Sequence, residues 1–87
     1  MILYWTPDGR GGVESRCLLQ RGGVVVGTVW AKVRLLGMRG QTRLIVSVDG
    51  KGMGEVRTTS DGQERAERRL RQIEAALSGE STTFNRG

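Results

Sequence analysis

Hydrophobic and polar positions alternate along the first two thirds of this chain, then switch to helical spacing near residue 60. The clearest alternation is "VESRCLLQ", with Val13, Ser15, Cys17 and Leu19 on one side and Glu14, Arg16, Leu18 and Gln20 on the other. A period of two is the signature of a half-buried strand. "VVVGTVWAKVRLL" continues it, with Val25, Gly27, Val29, Ala31, Val33 and Leu35 on one face and Thr28, Trp30, Lys32 and Arg34 on the other. In "TRLIVSVD", Thr42, Leu44, Val46 and Val48 turn inward, while Arg43, Ile45, Ser47 and Asp49 turn outward. A weaker strand, "GEVRTT" (residues 54–59), puts Val56 inward and Glu55 and Arg57 outward.

Turn chemistry separates these runs. Ile2 to Thr6 is a short aromatic and branched strand, closed by Pro7-Asp8-Gly9. "RGG" at Arg21 to Gly23 and "GMRGQ" join the next pairs as hairpin neighbours. "DGKG" is a hairpin signal, because Asp-Gly supplies the positive φ angles of a tight turn.

The stretch "SDGQERAERRLRQIEAALSGE", Ser60 to Glu80, reads as a helix. Ser60 or Asp61 caps it, with Gln63 or Glu64 completing a capping box. Ala66, Leu70, Ile73 and Leu77 form one narrow apolar stripe, and Glu64–Arg68 and Glu67–Arg71 are i,i+4 pairs. Strands followed by one helix predict an α+β domain: a four- to five-stranded antiparallel β-sheet packed on one C-terminal α-helix, in the order β-β-β-β-β-α. A single domain over residues 1–80 is expected, with 81–87 as a flexible tail. One sheet face meets the helix and the other is left for solvent or a partner.

Composition narrows the chemistry. The chain has one cysteine, Cys17, and no histidine, which excludes an internal disulfide and argues against structural zinc. A reducing, cytoplasmic setting fits that usage. No apolar run approaches the length of a membrane span, and the N-terminus lacks the pattern of a signal peptide. The base most used in catalysis is missing. Cys17 falls on an inward position with no activating partner, and Ser15, Ser47 and Ser60 have no base. The carboxylates Asp8, Glu14, Asp49, Glu55 and Asp61 share no motif spacing. No enzyme, cofactor or metal site is therefore expected.

The glycine-rich pieces read as turns. "GRGG" and "RGG" are single turns and not long disordered repeats. "GMRG" matches the GXXG pattern of KH domains but sits between strands instead of helices. "GKGMG" lacks the ending and the following helix of a phosphate loop.

The formal charge is +5, and it is unevenly placed. Residues 1–60 carry nine Lys or Arg against four acids. Residues 61–80 carry four arginines against five acids, so the arginine-rich helix is slightly acidic. The surplus belongs to the sheet and its turns. Arg16, Trp30, Lys32, Arg34, Arg43 and Arg57 fall on positions facing away from the helix, with Arg39 in the turn beside them. Basic side chains neutralise phosphates, and an aromatic stacks on bases. The plainer reading is a solvated face on which Trp30 packs across strands against Ile45.

The run of "WAKVRLL", "TRLIVSVDG", "GEVRTTS" and "ERAERRLRQIEAAL" between Trp30 and Leu77 resembles the arm-type, AP2-like DNA-binding domain of phage integrases. That resemblance implies three strands entering a major groove, braced by a helix, with Trp30, Lys32, Arg34, Arg43 and Arg57 facing DNA. Two further strands precede it here. Size and build are also similar to small phage-encoded inhibitors such as anti-CRISPR proteins, which implies binding to a host effector, in some cases over its nucleic-acid site. The expected function is a small non-catalytic basic module that binds nucleic acid, duplex DNA first, through its outer sheet face. The alternative is an inhibitor that binds an acidic or nucleic-acid-binding protein. A homodimer joined by strand edges is the third arrangement.

Overall fold

The computed structural model describes residues 1–38 and 41–79. Five strands form one antiparallel sheet in sequence order: β1 (Thr6–Pro7), β2 (Val13–Arg21), β3 (Val24–Met38), β4 (Gln41–Val48) and β5 (Lys51–Val56). One helix, α1 (Thr59–Gly79), packs on one face. Every connection is local, so the meander needs no crossover.

Two of the hairpins close through two residues with positive φ. Gly22 and Gly23 stand at φ 59° and 82° between the paired Arg21 and Val24. Asp49 and Gly50 stand at 56° and 76° between Val48 and Lys51. Both are type I′ turns, whose twist matches that of the flanking strands. The second turn corrects the expected fifth strand. β5 begins at Lys51, directly after the turn, and ends at Val56, so residues 57–59 lie outside it. Within β5 two residues oppose one on β4, because Ile45 pairs with Glu55 and Ser47 with Gly52. Gly54, at φ 93°, absorbs this bulge and lets both Met53 and Val56 reach the core.

The first strand joins the same sheet but pairs less than expected. Ile2 bridges Leu18, and only Thr6 and Pro7 form a ladder, with Glu14 and Val13. Met1, Leu3 and Trp5 point to the helix side and pack on the core. The buried Ser15 hydroxyl accepts the Tyr4 N–H (3.2 Å), so this polar group is paired where it is buried. Both sheet edges are blunted against strand addition. Pro7 has no N–H to offer at one edge, and Arg65 Nη1 donates to the Met53 carbonyl (3.1 Å) at the other.

The core is the inward face read from the alternation: Cys17, Leu19, Val29, Ala31, Val33, Val46 and Val48, closed by Ala66 and Leu70. Ile73 and Leu77 extend the stripe. Gly62 adds a position to it. A Cβ there would lie 2.6 and 2.9 Å from the two γ-methyls of Val33, so the helix approaches the sheet at a glycine.

Three expectations about local structure change. The helix cap is Thr58, whose hydroxyl accepts the Asp61 N–H (3.0 Å), so Ser60, Asp61, Gln63 and Glu64 all lie inside the helix. Val25, expected inward, stands exposed with Val24 and Val26, because the register shifts after Leu19 and pairs Gln20 with Val25. Of the two helical ion pairs, Glu67–Arg71 forms at 3.7 Å, and none joins Glu64 to Arg68 among the described residues. The tail 81–87 lies outside the described residues. No described helix is long and apolar enough to cross a membrane.

Candidate nucleic-acid interface

The outer face of the sheet is built by the same alternation that fills the core. Each buried residue of β2, β3 and β4 is flanked by neighbours that point the other way. On β3 these are Thr28, Trp30, Lys32, Arg34 and Leu36; on β2 Glu14, Arg16 and Leu18; on β4 Arg43, Ile45 and Ser47. Cross-strand register then fixes who stands beside whom. Arg16 is opposite Trp30, Glu14 opposite Lys32, and Lys32 opposite Ser47. Arg34 is opposite Ile45, and Leu36 is opposite Arg43.

Five of the seven residues expected at the site are therefore together on one face: Arg16, Trp30, Lys32, Arg34 and Arg43. Arg57 is not with them. It follows the end of β5 and lines a separate groove with Asp61, Glu64, Arg65 and Arg68 at the start of α1. The physical reason is the early end of β5, which takes residue 57 out of the alternation. Arg39 lies outside the described residues.

The packing of Trp30 against Ile45 does not occur as a cross-strand pair. Ile45 belongs to Arg34, and the carbonyl of Trp30 accepts the Asp49 N–H (2.9 Å) at the far end of β4. Trp30 remains 48% exposed. The Lys32 ammonium stands 6.0 Å from the centre of its ring, at the outer limit of a cation–π contact.

Beside Trp30 the surface is hollow. A concavity of about 580 Å³ is lined by Glu14, Trp30, Lys32, Arg34, Ser47, Gly50 and Gly52. It exists because the positions facing Lys32 across β4 and β5 carry a serine and a glycine. A second hollow, about 260 Å³, shares Glu14, Lys32 and Arg34 and adds Asp8 and Arg10. Asp8 organises that rim. Its Oδ1 accepts the N–H groups of Arg10 (2.7 Å) and Gly12 (3.0 Å). The hydrogen bond from Arg10 leads the causes that hold its carboxyl below the usual value of 3.8. Glu14 and Glu55 are acids on the same face, so the basic surface is interrupted beside Lys32 and Ile45.

Two contributors were not legible as site residues. Tyr4 is 75% exposed on the outer side, and Arg10 joins the second hollow. The signal for Tyr4 was present: Ile2, Tyr4 and Thr6 alternate with Leu3 and Trp5, which pack inward. Arg10 is placed by a glycine loop whose path no periodicity reveals.

This face offers Coulombic attraction, stacking and hydrogen bonding. Cys17 is fully buried, and desolvation raises its thiol above the ordinary 9.0, which disfavours the thiolate. Among the described residues no three His, Cys, Asp or Glu side chains gather as a metal site. Compared with known protein families, curated proteins and solved structures, the chain finds no match.

Proposed function

We propose that this chain is a non-catalytic binding module that engages nucleic acid through the outer face of its sheet. The observation that carries the reading is one shared face, on which Arg16 and Lys32 neighbour the half-exposed Trp30 beside an open hollow and Arg34 and Arg43 continue the basic surface along β3 and β4. Cations positioned on a rigid sheet neutralise phosphates and release their counterions, and an exposed aromatic adds contact with bases. The helix braces the sheet from behind.

The test is a titration of fluorescently labelled mixed-sequence DNA at two salt concentrations. Four phosphate contacts predict that affinity falls roughly 50- to 150-fold between about 50 and about 200 mM salt. Absence of binding at the lower salt, or binding that ignores salt, contradicts the reading.

A second reading is a protein-binding inhibitor of the kind that small phage-encoded proteins represent. The observation favouring it is the exposed valine tip of the β2–β3 hairpin, Val24, Val25 and Val26, apart from the basic face. Retention of one specific protein from a nuclease-treated lysate, lost in Val25→Asp, supports that reading. Loss of the partner on nuclease treatment returns the case to nucleic acid.

A further inference from the structure

We infer that the outer face is a stacking platform for unpaired nucleotides, so that single-stranded nucleic acid, and not a duplex, is its ligand. The inference rests on the nucleic-acid reading above and specifies its substrate.

Three side chains form a row across the sheet. Arg16 pairs with Trp30. The bridge between Ile2 and Leu18 and the pair Thr6–Glu14 place Tyr4 level with Arg16 on its other side. The row reads Tyr4, Arg16, Trp30: a cation between two rings that are 75% and 48% exposed. Each ring is anchored through its backbone. The Tyr4 N–H is held by the buried Ser15 hydroxyl, and the Trp30 carbonyl by Asp49.

The spacing chooses between ligands. Adjacent strands lie about 4.8 Å apart, so the backbone positions that carry the two rings, two strand intervals apart, are separated by roughly 10 Å. Bases in a duplex repeat every 3.4 Å along each strand and present only their edges in the grooves, so neither ring finds a base face there. A single strand splays its bases and stretches its backbone, which lets one base lie on Tyr4 and another on Trp30, with phosphate near Arg16 between them. The hollow next to Trp30, floored by Ser47 and Gly52, receives the second base, and Lys32 and Arg34 follow the backbone out of it.

Fluorescence anisotropy with end-labelled oligothymidylate and oligouridylate of about 12 nucleotides, and with a mixed-sequence duplex of about 12 base pairs, tests this at one low salt concentration. The expected result is that a single strand binds on the order of 10-fold tighter than the duplex, and that Tyr4→Ala and Trp30→Ala each weaken it on the order of 10-fold or more. Trp30→Phe keeps most of the affinity, and thermal melts of the variants match the parent because both rings lie outside the core. The tighter of the two single strands identifies DNA or RNA as the source. Equal or tighter duplex binding, unchanged in Tyr4→Ala and Trp30→Ala, overturns the platform and leaves the nucleic-acid reading standing. Failure of all three probes to bind overturns both.

Discussion

The indole N–H of Trp5 donates to the Glu67 carboxylate at 2.9 Å, joining the first segment of the chain to the helix across 62 residues of sequence. Glu67 also holds Arg71, one turn later, at 3.7 Å. This carboxylate joins the Ile2–Leu18 bridge and the Tyr4–Ser15 bond in holding the N-terminal segment that carries Tyr4 on its other side. Glu67→Ala leaves the partly buried indole N–H unpaired and should cost about 1–2 kcal/mol. Chemical denaturation of Glu67→Ala, Trp5→Phe and the double variant checks this. Coupling of about 1 kcal/mol is expected, whereas additive effects would show that the bond contributes nothing net.

Gly62 shows how closely the helix and sheet approach. Alanine normally favours a helix interior over glycine by about 1 kcal/mol. Here the added Cβ would meet both γ-methyls of Val33, a stiff and fully buried side chain, and Val56 at 3.1 Å. Overpacking of this kind costs about 1–3 kcal/mol, so Gly62→Ala should lower stability despite the better propensity. A raised melting temperature would show that α1 shifts freely on the sheet.

The other end of the helix is held by Glu74. Its carboxylate accepts the Gln20 N–H (2.9 Å) and pairs with the Met1 ammonium (3.1 Å). The hydrogen bond from Gln20 leads the causes that lower its pKa from the ordinary 4.5. A depressed folded-state pKa means that the contribution is present above about 4.5 and lost as pH falls through the folded value. Urea midpoints measured from pH 7 down to pH 3 should therefore drop in the parent below about pH 4.5, and drop less in Glu74→Gln. Parallel curves would remove Glu74 from the acid response.

The sheet was legible because its inward positions alternate without interruption from Ser15 to Leu19 and from Val29 to Val33, and because Gly22-Gly23 and Asp49-Gly50 accept only tight turns. The cap was not. Thr58, Thr59, Ser60 and Asp61 all have capping chemistry, and a helix capped by Thr58 sets Gly62 against Val33 and Val56, a packing constraint that local sequence does not carry. The bulge at Gly54 hid the same way: Met53 and Val56 are three apart, which fits neither strand period. At the candidate site, alternation carried Arg16, Trp30, Lys32, Arg34 and Arg43 to one face. It failed for Arg57, where the strand had already ended, and for Tyr4, whose segment is too short for its period to stand out.

In the proposed function the outer sheet face, and not the arginine-rich helix, meets the ligand. Two double variants test it with equal charge removed. Arg34→Ala with Arg43→Ala strips the sheet, and Arg68→Ala with Arg69→Ala strips the exposed helix without touching the Arg65 bond to Met53. Affinity for labelled oligonucleotide at low salt should fall on the order of 10-fold or more in the sheet variant, with a salt slope shallower by roughly 1.4 to 1.8. The helix variant should stay near the parent. Equal losses, or a larger loss in the helix variant, would contradict the account.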